Sequence, residues 1–237
     1  MKLSAPVYHL KRKAKALARE ENIPLHEALD RLARQEGCKD WSLLAARLAA
    51  LPPAAKLLEQ LAPGDLLLIG ARRGQGKTLL SLELAVEAMK NGNRAAFFTL
   101  EETQKDILYR FHALGVASSQ FESLFEFDGS EGISADYIMR RLALAPRGTL
   151  AVIDYLQILD QRRESPELSV QVGDLSGFAR DRGLIIICIS QIHRSYDPLK
   201  KPFPDLQDVR LPNPVDLRLF NKTCFLNNGE IRFKAET

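Results

Sequence analysis

Leu66-Leu67-Leu68-Ile69-Gly70-Ala71-Arg72-Arg73-Gly74-Gln75-Gly76-Lys77-Thr78-Leu79-Leu80 decides how this chain is read. The apolar run Leu66–Ile69 has the length and composition of a short buried strand. Beyond Thr78, Leu79, Leu80, Leu82, Leu84, Ala85, Val86 and Met89 recur at helical spacing. Between them lies a loop with Gly70, Gly74 and Gly76, closed by Lys77 and Thr78. Strand, glycine loop and helix in that order are what a phosphate-binding P-loop requires. Glycines let backbone N–H groups turn inward around a polyphosphate, and the helix N-terminus adds a favourable partial charge. The cradle is therefore expected from Ala71, Arg72, Arg73, Gly74, Gln75, Gly76, Lys77 and Thr78. Lys77 would reach the β- and γ-phosphates of ATP, and the Thr78 hydroxyl would ligate Mg²⁺. Ala71 stands where the motif's first glycine belongs, a small residue in place of a small one.

The 237 residues suffice for one large α/β domain and a small appendage. With 46% hydrophobic and 27% charged residues the composition is that of an ordinary globular protein. A formal net charge of +3 does not by itself point to nucleic acid. Cations do cluster at Lys11, Arg12, Lys13, Lys15 and Arg19, and again at Arg162-Arg163 and Lys200-Lys201. Cys38, Cys188 and Cys224 lie far apart, without the spacing of a disulfide framework or a zinc site. No signal-peptide pattern and no membrane-spanning run is visible, so a cytoplasmic protein without a membrane partner is expected.

Working outward, residues 8–20 and 25–50 read as helices, with Pro24 at a first helical position, a break at 36–40 and Asp40 as a cap. This N-terminal helical module, 1–52, is too small to bury much core alone. Its basic helix has two readings, a docking surface for nucleic acid or protein, or a solvated face; charge runs favour the latter. Pro52-Pro53 marks the expected boundary with a second domain, 53–237. There, strands are expected at 66–69, 94–100, 149–154 and 184–190, with helices at 103–114, 135–144 and 170–182. Two more strands are expected around 217–220 and 230–233. Alternating strands and helices imply a mostly parallel central sheet covered on both faces.

Ligands of such sheets sit outside the carboxyl ends of the strands. The second strand runs into Glu101-Glu102, the third ends in Asp154 and runs on to Gln157, and the fourth leads to Gln191 and Arg194. Asp154, after an apolar strand, suits a Walker B acid holding Mg²⁺. Glu101 is placed to activate the attacking water, with Glu102 competing for the role. Gln191 is placed to sense the γ-phosphate.

The segments Gly-Ala-Arg-Arg-Gly-Gln-Gly-Lys-Thr, Phe-Thr-Leu-Glu-Glu followed by Arg110, Val-Ile-Asp-Tyr-Leu-Gln-Ile-Leu and Ile-Ser-Gln-Ile-His-Arg together resemble the motor domain of DnaB-type replicative helicases. RadA- and KaiC-type ATPases share that core. The resemblance spans about residues 54–237 and implies a RecA-like P-loop NTPase fold, hydrolysis of ATP with Mg²⁺, assembly into hexameric rings, and single-stranded DNA as partner. It makes Glu101 the catalytic glutamate, Asp154 the Walker B acid and Gln191 the γ-phosphate sensor. DNA contacts are expected in the loops after the third and fourth strands, from Arg162, Arg163, Arg194, Lys200 and Lys201.

The sequence departs from the family twice. Residues 1–50 do not resemble the family's N-terminal domain. The family's late Lys-x-Arg, whose arginine reaches the neighbouring subunit's γ-phosphate, aligns with Lys222-Thr223-Cys224, leaving Cys224 at the arginine and Arg210 or Arg218 as substitutes. Loss of an arginine finger costs on the order of 10³–10⁵ in rate. Two functions follow: an ATP-driven motor on single-stranded DNA, or a non-motor switch or helicase accessory with weak or no hydrolysis. A small-molecule kinase is less favoured, since nothing resembles a lid or acceptor pocket.

Overall fold

The computed structural model describes residues 3–161, 165–211, 213 and 215–235, with only the backbone of Ser118. The chain divides into two units, Met1–Ala62 and Pro63–Thr237. In the first, α1 (Val7–Glu20), α2 (Leu25–Gln35), α3 (Trp41–Ala49) and α4 (Pro53–Leu58) follow in order. Ala14 of α1 packs with Ala28 and Leu32 of α2, and Ala33, Cys38 and Leu44 form a second small cluster with Trp41 and Leu48. Asp40 caps α3, its carboxylate accepting from the Leu43 N–H at 2.7 Å. Pro52-Pro53, expected as the boundary, instead starts a helix. Pro53 occupies its first turn, where the missing N–H costs nothing.

The second unit is α/β and RecA-like. Its strands are β1 (Leu66–Ala71), β2 (Ala95–Thr99), β3 (Phe125–Asp128), β4 (Leu150–Asp154), β5 (Ile185–Gln191), β6 (Lys222–Asn227) and β7 (Glu230–Ala235). They form one sheet in the order β3-β2-β4-β5-β1-β6-β7. All pairings are parallel except β6 with β7. Every residue of β1, β2 and β4 is buried, as expected for strands covered on both faces. Leu66, Leu68, Ala151, Ile153, Ile186 and Cys188 pack on one face with residues of α7 (Ala135–Arg141) and α8 (Leu168–Arg182). The other face is crossed by α5 (Lys77–Lys90), which touches β1, β2, β4 and β5. A sixth helix of the chain, α6 (Gln104–Ala113), follows β2 and opens on a capping box between Thr103 and Asp106. Gly70 is needed where β1 meets β6: a Cβ there would lie 2.6 Å from the Phe225 ring. No helix among the described residues is long and apolar enough to cross a membrane.

Two strand expectations need correction. Residues 217–220 do not form a strand. Leu217–Leu219 is a 3-10 turn, because the Asp216 carboxylate captures the Arg218 N–H at 3.0 Å and offers the backbone a local alternative to the ladder. The strand begins at Lys222 instead. The sheet edge β3 carries Glu126 and Asp128 in a run of four residues, so its alternation is too short to stand out in sequence.

Candidate active site

The carboxyl ends of β1, β2, β4 and β5 open into one cavity of about 950 Å³. Its floor is the loop between β1 and α5. Gly74 and Gly76 adopt φ of +79° and +84°, backbone that a side chain would strain, with no atom within 4 Å of where a Cβ would stand. Lys77 Nζ folds back on the loop, donating to the carbonyl oxygens of Ala71 at 3.1 Å and Arg72 at 3.0 Å. Burial lowers the pKa of Lys77, opposed by the nearby charges of Asp154 and Glu101.

Thr78 Oγ1 donates to Asp154 Oδ2 at 2.8 Å, joining the first turn of α5 to the end of β4. Asp154 is buried, and burial pushes its carboxyl up to about 6. The Thr78 hydrogen bond opposes that shift, and the charge of Glu101 adds to it. These two hard oxygen donors fit a Mg²⁺ that completes its shell with phosphate and water. No cluster of three or more His, Cys, Asp or Glu suited to a metal exists among the described residues. The donor set thus suits a cation that arrives with a phosphate ligand. The inward-turned loop and Lys77 likewise fit a polyphosphate.

The two glutamates after β2 are placed differently. Glu102 is held by Arg110, whose Nε donates at 2.7 Å while a second nitrogen donates to the other carboxylate oxygen. Glu101 lines the cavity, with its own N–H donating to Thr99 Oγ1 at 3.1 Å. Gln191 ends β5 opposite Ala71 and also lines the cavity.

Of the residues expected to meet DNA, Arg194 lines this same cavity. Lys200 is exposed, whereas Lys201 is paired with Asp205 at 2.7 Å and Asp208 at 2.6 Å. Arg162 and Arg163 lie outside the described residues.

The assignment of Cys224 to the arginine-finger position is corrected by the fold. Cys224 is fully buried and pairs with Ile69, in the middle of β1. A side chain there cannot reach a neighbouring subunit's phosphate. Such a group would have to stand at the tip between β6 and β7, where the Asn228 N–H donates to Gln75 Oε1 of the loop at 2.8 Å. That tip, Asn227-Asn228-Gly229, holds no arginine. The two candidate substitutes separate cleanly. Arg218 is exposed and paired with Asp216, whereas Arg210 lines the cavity.

Sequence reasoning missed the framework that holds Arg210 there. Its N–H donates to the Gln191 carbonyl at 2.7 Å, and its own carbonyl accepts from Gln157 Nε2 at 2.7 Å. Gln157 had a signal, its place three residues after Asp154, but nothing local names its partner. Arg72 was expected only as a cradle residue. It also donates to the Arg194 carbonyl at 3.0 Å and lies over the Tyr196 ring at 5.8 Å, tying the phosphate loop to the segment after β5.

A family model described as KaiC-type ATPase matches residues 58–202. The replicative helicase DnaB of Synechocystis sp. is 27% identical over 177 residues, covering 62% of this chain and 20% of that protein. The DnaB of Helicobacter pylori is 26% identical, covering 66% of this chain and 40% of that one. A probable plasmid replicative DNA helicase of Chlamydia trachomatis is 25% identical, covering 72% and 46%. This chain thus spans less than half the length of these relatives. Among solved structures, an ATPase domain solved by itself aligns with a TM-score of 0.62 at 19% identity, covering 79% of this chain and 81% of that one. A DnaB-like replicative helicase studied with primase aligns at 0.60 and 18% identity, covering 97% of this chain and 71% of that one. At these identities the structural likeness shows the fold.

Proposed function

The chain belongs to the KaiC family of ATPases, and on that premise we propose that it binds and hydrolyses ATP with Mg²⁺, coupled to binding or unwinding of single-stranded DNA, as a DnaB-like motor. The observation that carries this reading is the convergence of Lys77, the Thr78–Asp154 pair, Glu101 and Gln191 on one cavity. Lys77 leaves the carbonyl oxygens of Ala71 and Arg72 to hold the β- and γ-phosphates. Thr78 and Asp154 hold Mg²⁺, which when bound neutralises charge that builds on the phosphate oxygens. Glu101 orients the attacking water and takes its proton, a role that Glu102, bound to Arg110, is not free to fill. Gln191 contacts the γ-phosphate and passes its state to the segment that begins at Ile192. Assembly as a homo-oligomeric ring and contact with a replication partner belong to this reading, with Arg194 and Lys200 on the DNA path.

A second reading is favoured by one observation, the lack of an arginine at the β6–β7 tip. On it the chain is a nucleotide-dependent switch or helicase accessory with slow turnover. The deciding experiment is ATP turnover with and without single-stranded DNA, using wild type beside Lys77→Ala and Glu101→Gln. DNA-stimulated turnover lost in both variants supports the motor. Tight binding without turnover, lost only in Lys77→Ala, supports the switch. Absence of nucleotide binding by wild type would refute both.

A further inference from the structure

The first helix of the N-terminal unit carries Lys11, Arg12, Lys13, Lys15 and Arg19, and its acidic residue is the last, Glu20. Successive residues turn by about 100°, so Lys11, Arg12, Lys15 and Arg19 fall within one arc of about 100°. Leu10 and Ala14, on the opposite side, are buried. All four cations are exposed, and none takes part in an ion pair among the described residues. Elsewhere in this unit, by contrast, Arg31 is paired with both Glu21 and Glu27. The result is a stripe of like charge about 12 Å long.

Four cations kept together on one face repel each other, and that arrangement is stabilised by a polyanion. Tyr8 lies three, four and seven residues before Lys11, Arg12 and Lys15, which puts its ring on the same arc. The ring meets that of His9 at a centroid distance of 4.3 Å. An aromatic ring among phosphate-binding cations suits unpaired bases, whose faces a duplex hides. We propose that α1 is a binding surface for single-stranded nucleic acid, separate from the nucleotide cavity and independent of nucleotide.

The test is fluorescence anisotropy of the full chain with a labelled oligothymidylate, across a salt series and without nucleotide. The combined variant Lys11→Gln, Arg12→Gln, Lys15→Gln and Arg19→Gln should lower the slope of log affinity against log salt by about 2 to 3, at about 0.7 per phosphate contact. Lys13→Gln with Lys39→Gln, exposed cations off the stripe, should leave the slope unchanged. Lys11→Arg with Lys15→Arg should bind as wild type does, which separates lost charge from lost fold. The Lys77→Ala chain should keep the stripe's contribution, so failure of the ATP reading leaves this test intact. An unchanged slope in the fourfold variant overturns the proposal. A loss of equal size on a duplex of the same length overturns the single-strand assignment.

Discussion

Asp154 accepts a 2.8 Å hydrogen bond from Thr78, a residue 76 positions earlier in the chain, and its carboxyl is pushed up to about 6 by burial. A raised carboxyl binds its proton more tightly in the folded than in the unfolded chain. The stability this gives is complete below the ordinary carboxyl range near 3.8 and is lost as pH rises through about 6. Asp154→Asn removes that loss. Without nucleotide or divalent cation, the variant should gain on wild type by on the order of 3 kcal/mol between pH 4 and pH 8. Urea unfolding at the two pH values measures it; a constant difference between the proteins would contradict the assignment.

Glu101 and Glu102 should separate in kinetics. Glu101→Gln should keep nucleotide affinity and lower turnover by about 10² to 10⁴. Glu102→Gln should lower turnover by less than about tenfold and act by loosening Arg110. Single-turnover hydrolysis beside equilibrium binding of a fluorescent ATP analogue tells them apart, and equal losses would remove the distinction.

Arg210 is exposed, lines the cavity and has its backbone fixed by Gln191 and Gln157. If it replaces the missing finger within its own subunit, Arg210→Ala should cut turnover by on the order of 10³ with ADP affinity retained. Mixtures of wild type and variant should then lose activity in proportion to the variant present. A steeper loss would assign the arginine to a neighbouring subunit. Arg218→Ala should be neutral.

Gly70→Ala should destabilise the second unit by about 1 to 3 kcal/mol, since its Cβ would enter the Phe225 ring. Phe225→Leu in the same chain should recover part of that loss, as read by thermal unfolding with and without nucleotide. No recovery would place the cost elsewhere.

Much of the fold was legible in short windows. Leu66–Ile69, the glycine loop and the repeat of leucines after Thr78 each encode their structure within a few residues, because burial period and backbone freedom are local properties. The same holds for Asp40 as a helix cap, where a side chain bonds an N–H three residues away. Leu217–Leu219 was read wrongly for a related reason. An apolar run does not reveal that Asp216 will take the next free N–H and that the ladder starts after Asn221.

By itself the sequence determined the P-loop, the parallel sheet behind it, and which polar residues end the strands. Only the tertiary structure decided which of those residues meet. It tied Glu102 to Arg110, buried Cys224 in mid-sheet, and brought Gln157 to the carbonyl of Arg210, 53 positions away. Strand order and register set these relations by joining segments far apart in the chain, and a pattern confined to one segment carries no record of its partner.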